Sequence, residues 1–205
     1  SLFGKTGSHA GELASRLERK PDATVFIYYA GHAFTRADGK ESYLLPADTV
    51  KYREERSGYP LSQLYANLQG MGAKSILLML EADFGRDLSD FVFAPNIPEM
   101  QVSALPAKPV TGMTVITAAD GDQRNPDDPE LGIGMFTRYL IEGLAGRADL
   151  APIGNADGKI DSVELYAYAS HMVRLTARKS FGLLQKPMMS RSDNLRVSQV
   201  QKAGH

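Results

Sequence analysis

The chain has 205 residues, 43% of them hydrophobic and 23% charged, with a formal net charge of −1. That balance supports a sizeable core, gives no long-range field for nucleic acid, and leaves no stretch near the ~20 apolar residues of a membrane span. Cysteine is absent from the whole sequence, which excludes disulfides, thiolate nucleophiles and cysteine-based zinc sites together.

In chain order, residues 11–20 (GELASRLERK) predict a short amphipathic helix with Leu13 and Leu17 inward, ended by Pro21-Asp22. Thr24 to Tyr29 (TVFIYY) is an unbroken β-branched and aromatic run, expected to be a strand buried on both faces and to end near Gly31. Ala37-Asp38-Gly39 marks a turn into a short strand, Ser42 to Leu45. Leu61, Leu64, Tyr65 and Leu68 have helical spacing, and Ser75 to Leu80 (SILLML) is a second buried strand leading into Glu81-Ala82-Asp83-Phe84-Gly85. The stretch from Pro95 to Pro109 holds four prolines and predicts an irregular loop.

Met113 to Ala118 predicts a third buried strand, and the polar run 121–129 (GDQRNPDDP) a loop. A helix over 134–144 is expected to turn Met135, Leu140, Ile141 and Leu144 inward, and a longer one over 162–179 to open on Asp161 as its N-cap. The tail beyond Pro187 predicts one short strand around Leu195 to Val197. Strands alternating with helices imply an α/β class with a mostly parallel central sheet, whose functional groups gather at the strands' carboxyl ends. Two neighbouring strands bring His32 and Asp83 to such ends.

The segment Phe26-Ile27-Tyr28-Tyr29-Ala30-Gly31-His32, followed by Gly39 and Tyr43-Leu44-Leu45-Pro46-Ala47-Asp48, resembles the histidine segment of bacterial caspase homologues and metacaspases. The resemblance implies a caspase-like α/β/α sandwich of the cysteine-peptidase type. It places Leu77 to Gly85 on the family's nucleophile strand, so that Asp83 matches the catalytic cysteine and Glu81 the acid before it. Residues 134–149, 157–165 and 185–187 continue the likeness. One domain over 1–205 is expected, matched to the family over 10–187 with terminal extensions at 1–9 and 188–205. The family's opening strand, helix and strand have no counterpart before Gly11.

A carboxylate is a poor nucleophile toward an amide, whereas the thiolate it replaces is a good one. The expected dyad of His32 and Asp83 is therefore degenerate, closed by an ion pair that raises the histidine pKa. Ala33, Glu81 and Arg86 also depart from the family pattern, which fits natural degeneration better than an engineered single change. The reading is a silent caspase homologue with a regulatory, peptide-binding or scaffolding role, in the cytoplasm, with a protein or peptide partner and no nucleic acid. The alternatives are an active hydrolase using Asp83 and His32, a family member with another activity, and a purely structural domain. Gly31, Ala82, Asp120 and Asp122 are the expected binding positions; Asp127 and Asp128 extend that acidic loop. No cofactor is expected. Asn155, Asp157, Asp161 and Glu164 fall on calcium-loop positions, but Ile153 stands where the first aspartate belongs, so a turn with helix capping is the reading there. His9, His171 and His205 have no metal-ligand partners at useful spacing.

Overall fold

The structure, a computed structural model, describes residues 11–36, 38–50, 53–84, 104–121 and 123–200. Arg86, Asp122, His9, His205 and the front of the proline-rich loop therefore lie outside the described residues. A short helix α1 (Glu12–Glu18) leads into the long strand β1 (Thr24–Thr35). Gly39, at φ 70°, lets the chain turn back, and Arg36 N–H donates to the Glu41 carbonyl at 2.9 Å to open β2 (Ser42–Leu45). Next come α2 (Glu54–Ser57), β3 (Tyr59–Pro60) and α3 (Leu61–Gln69), the last burying Leu61, Leu64 and Leu68 as its spacing predicts. Then follow β4 (Ser75–Asp83), β5 (Met113–Thr117), and the small hairpin β6 (Asp127–Asp128) and β7 (Ile133–Gly134). The chain continues through α4 (Met135–Leu144), β8 (Lys159–Asp161), α5 (Ser162–Thr176), β9 (Met188–Arg191) and β10 (Arg196–Gln199).

The class is α/β. Six strands form one sheet in the order β3-β2-β1-β4-β5-β9, with the longest ladders, β1 with β4 and β4 with β5, parallel. A layer of helices lies on each face, and β4 divides them by parity. Leu77 and Met79 pack under Phe136 and Leu140 of α4 and Leu165 and Val173 of α5. Ile76, Leu78 and Leu80 pack with Leu17 of α1 and Leu61, Leu64 and Leu68 of α3. A strand buried on both faces has no need of polar alternation, which is why SILLML is apolar throughout. The same parity sets Glu81 and Asp83 on the α4–α5 side and Ala82 on the other.

β1 departs from the expectation. Val25, Ile27 and Tyr29 pack against the α1–α3 core, but Phe26 and Tyr28 are 48% and 47% exposed. Along Thr24–Gly31 the strand pairs on one side only, with β4, because β2 joins it from His32 onward. Among the described residues no strand fills that outer edge. Ile141, expected inside α4, is exposed: the helix turns Met135, Phe136, Tyr139, Leu140 and Gly143 inward, and Ile141 lies off that stripe. The tail also does more than predicted. β9 completes the main sheet against β5, and β10 pairs with β8.

Candidate functional site

In the β1–β4 ladder, Ala30 stands opposite Glu81, Gly31 opposite Ala82 and His32 opposite Asp83. Parallel partners share a face, so the histidine and the aspartate are direct cross-strand neighbours on the α4–α5 side. His32 is exposed but does not end its strand, as the sequence led us to expect. At His32 the chain begins a second ladder, with Leu45 of β2, and stays extended to Thr35. The Tyr29 hydroxyl fastens this junction by donating to the carbonyls of His32 at 2.7 Å and Leu45 at 3.2 Å. Its ring lies over Gly31, where a Cβ would come within 2.9 Å of that hydroxyl. Gly31 thus admits the tyrosine that holds His32. Ala33, where the family has glycine, is an ordinary ladder residue opposite Leu44, without positive φ, so no strain arises there.

The expected ion pair is absent. Neither a hydrogen bond nor a salt bridge joins His32 to Asp83. Asp83 Oδ1 instead accepts the backbone N–H of Asn125 at 2.9 Å, while the Asn125 amide donates to the Ala82 carbonyl at 2.9 Å. Gln185 in turn donates to Asn125 Oδ1 at 2.9 Å and to the Ala118 carbonyl at 3.0 Å. A loop held at two points thus supplies the donor that meets Asp83, through Oδ1. Crowding by neighbouring protein raises the Asp83 carboxyl above its ordinary value, against the opposing pull of Asn125, Arg124 and, last, His32. The residue is nonetheless exposed to solvent.

Glu81 has a different task. Only 6% exposed, it reaches the N-terminus of α4. Its Oε1 accepts the N–H groups of Phe136 at 3.0 Å and Thr137 at 3.3 Å, and its Oε2 accepts the hydroxyls of Tyr28 at 3.3 Å and Thr137. These are the orphan donors of a helix's first turn, at its positive end, and α4 has no side-chain cap of its own. Burial still outweighs these bonds and raises the Glu81 carboxyl above the usual glutamate range. Gly134 makes the approach possible: any Cβ there would overlap the Glu81 carboxylate. The acid that the resemblance places beside the nucleophile is therefore committed to holding a helix.

The remaining expected positions do not converge. Ala82, expected to bind a partner, is 5% exposed, faces the α1–α3 core, and has its carbonyl occupied by Asn125; parity excludes it from the exposed rim. Asp120 pairs with Lys186 at 3.7 Å. Asp127 is exposed, and buried Asp128 accepts the N–H groups of Glu130 and Leu131 and pairs with Arg138 of α4. The Arg138 guanidinium holds the Asp128 carboxyl below its ordinary value.

The calcium-like loop is built as a turn. Asn155 Oδ1 accepts Asp157 N–H, Asp157 Oδ1 accepts Lys159 N–H, and Asp161 Oδ1 accepts Val163 and Glu164 N–H. Glu164 answers by accepting Asp161 N–H at 3.2 Å, which closes a capping box on α5, and Asn155 N–H at 3.1 Å. Among the described residues no three acidic or histidine side chains converge on a metal position. The donor set does not fit a calcium site. We expect Asp161→Ala to cost about 1 kcal/mol, the usual worth of an N-cap, in urea unfolding, and calcium chloride to leave the melting temperature of the wild type unchanged.

No family model matches this sequence, and no curated protein sequence does. Solved structures do. The crystal structure of caspase-1 from Spodoptera frugiperda is similar at a TM-score of 0.54 and 14% identity, covering 94% of this chain and 72% of that one. A structure of pro-sf-caspase-1 is similar at a TM-score of 0.49 and 13% identity, covering 95% and 73%. The backbone is similar to that of caspase-1, as the histidine segment is similar to the family's: the chain has a caspase-like fold.

Proposed function

We propose that this chain is a catalytically silent caspase-fold domain that holds a peptide or protein segment without cutting it. The observation that carries the reading is the residue beside His32. It is an aspartate, in a chain with no cysteine at all, and its carboxylate is engaged by Asn125 N–H. Amide cleavage by this fold type needs a nucleophile that histidine can activate, and a carboxylate is a weak one toward an amide. A surface for peptide remains: Gly31 and His32 are exposed, and among the described residues no strand pairs with the outer edge of Thr24–Gly31, beside Phe26 and Tyr28. Extended peptides add to such edges as an extra strand. The test is a fluorogenic peptide panel with basic and acidic P1 residues, assayed with and without calcium. No turnover above buffer is the expected result. Turnover abolished by Asp83→Ala or His32→Ala would replace this reading with an active hydrolase built on that pair.

A further inference from the structure

Far along the chain, α5 ends in an unusual way. Beyond Thr176 it widens into a π-helical turn over Ala177–Phe181, stops at Gly182 with φ 66°, and folds back so that Leu183 N–H donates to the Ala177 carbonyl at 3.1 Å. The returning segment 184–186 then runs beside the helix it has just left. Between them is a cavity of about 480 Å³, lined by His171, Arg174, Leu175 and Arg178 on the helix side and by Leu184, Gln185 and Lys186, with Gln123, on the other.

Its lining has a definite chemistry. Arg174 and Arg178 stand one turn apart with His171 on the same helix, and Lys186 faces them from the returning segment. A row of cations along one helix is ordinarily a solvated face, but here a second segment closes the row into a concave site. Among the described residues, Asp120 reaches Lys186, and no acid pairs with His171, Arg174 or Arg178. Two leucines, Leu175 and the 79% exposed Leu184, share that lining. Gln185, only 1% exposed, has its amide hydrogens taken by Ala118 and Asn125, while its Oε1 has no hydrogen-bond partner.

We infer that this cavity binds an acidic peptide segment in which carboxylates adjoin a leucine-like side chain. Carboxylates match the two guanidiniums, which hold planar anions through paired donors. An aliphatic side chain covers Leu175 and Leu184, which are 52% and 79% exposed. Inorganic phosphate satisfies the first requirement alone. Single-stranded nucleic acid stacks its bases on aromatic side chains, and among the described residues no Phe, Tyr or Trp lines the cavity. The inference stands whether or not the Asp83 cleft cuts or holds peptide. The two are nonetheless connected, since Gln123 Oε1 accepts Lys186 N–H at 2.7 Å and Gln185 donates to the same Asn125 that engages Asp83.

The test uses the full chain and fluorescence anisotropy of a labelled Gly-Leu-Glu-Glu-Leu-Gly peptide, with a Gln-for-Glu counterpart and a Lys-for-Glu counterpart. Arg174 and Arg178 are exposed, so the double change R174E/R178E should leave the melting curve in place. The acidic peptide is expected to bind the wild type about tenfold more tightly than the Gln peptide, a difference of ~1.4 kcal/mol. R174E/R178E is expected to lose that binding and to accept the Lys peptide instead, and Leu184→Ala to weaken the acidic peptide alone. Equal binding of the acidic and Gln peptides, or affinity unchanged by R174E/R178E, overturns the inference, as does absence of binding at about millimolar peptide. If inorganic phosphate displaces the probe and Leu184→Ala has no effect, the cavity is an anion site and the peptide assignment is wrong.

Discussion

Glu81→Ala is expected to destabilise the fold by roughly 3 kcal/mol, because it strands one buried and one partly buried backbone donor at about 1–3 kcal/mol each. The donors are Phe136 and Thr137 N–H, and the hydroxyls of Tyr28 and Thr137 lose the same acceptor. Glu81→Gln keeps the size and one full acceptor, so its cost should be about 1 kcal/mol, that of a single hydrogen bond. Gly134→Ala should fall nearer the alanine variant, since the new methyl and the carboxylate occupy the same space. Chemical unfolding of the three variants ranks them. Equal stability of Glu81→Ala and wild type would show that α4 needs no cap from β4.

The same residue gives a pH dependence with a definite sign. Burial raises the folded-state pKa of Glu81 above its ordinary 4.5, so the folded state binds the proton more tightly than the unfolded chain does. That contribution to stability is fully present below pH 4.5 and is lost as pH rises through the raised value. Glutamine does not titrate. The stability gap between wild type and Glu81→Gln should therefore narrow from pH 4 to pH 7, and a gap that widens instead would mean that the hydrogen bonds outweigh burial.

The parts of this structure that were legible in the sequence are those governed by local pattern. Leu61, Leu64 and Leu68 declared α3 by spacing, SILLML declared a strand covered on both faces, and Asp161 declared the start of α5. The placement of Asp83 opposite His32 came from the resemblance of the two strands to the family's histidine and nucleophile segments, and the ladder register agrees with it. What stayed hidden depends on long-range placement. Nothing in Glu81 announces that the N-terminus of α4 will be brought to it from Gly134 onward, and nothing in the polar run around Asn125 marks it as the residue whose N–H meets Asp83. Met188 to Arg191 lacks the β-branched residues that signal a strand, yet an open ladder on β5 recruits it. The exposure of Phe26 and Tyr28 was equally out of reach, since it reports what covers β1 and not what β1 is.

Asp83→Cys puts the dyad itself to the test. The sequence has no other cysteine, so the variant carries one thiol and every alkylation event reports on that position. The substitution frees the Asn125 N–H that Asp83 now occupies and sets sulfur across the ladder from His32. A thiolate is stabilised by both a backbone donor and a histidinium. We therefore expect the pH midpoint of iodoacetamide labelling, followed by intact mass, to lie about one unit below the free-cysteine value of ~8.5. Adding His32→Ala should return most of that shift, because the charge that favours the thiolate is gone while Asn125 remains. Such a result would show that the caspase-like arrangement of the two strands still supports an activated nucleophile and that sequence change removed only the sulfur. A midpoint near the free value, indifferent to His32→Ala, would instead make Asp83 a loop anchor for Asn125 and His32 a surface histidine, and the peptide-holding role would then rest on the open edge of β1 alone.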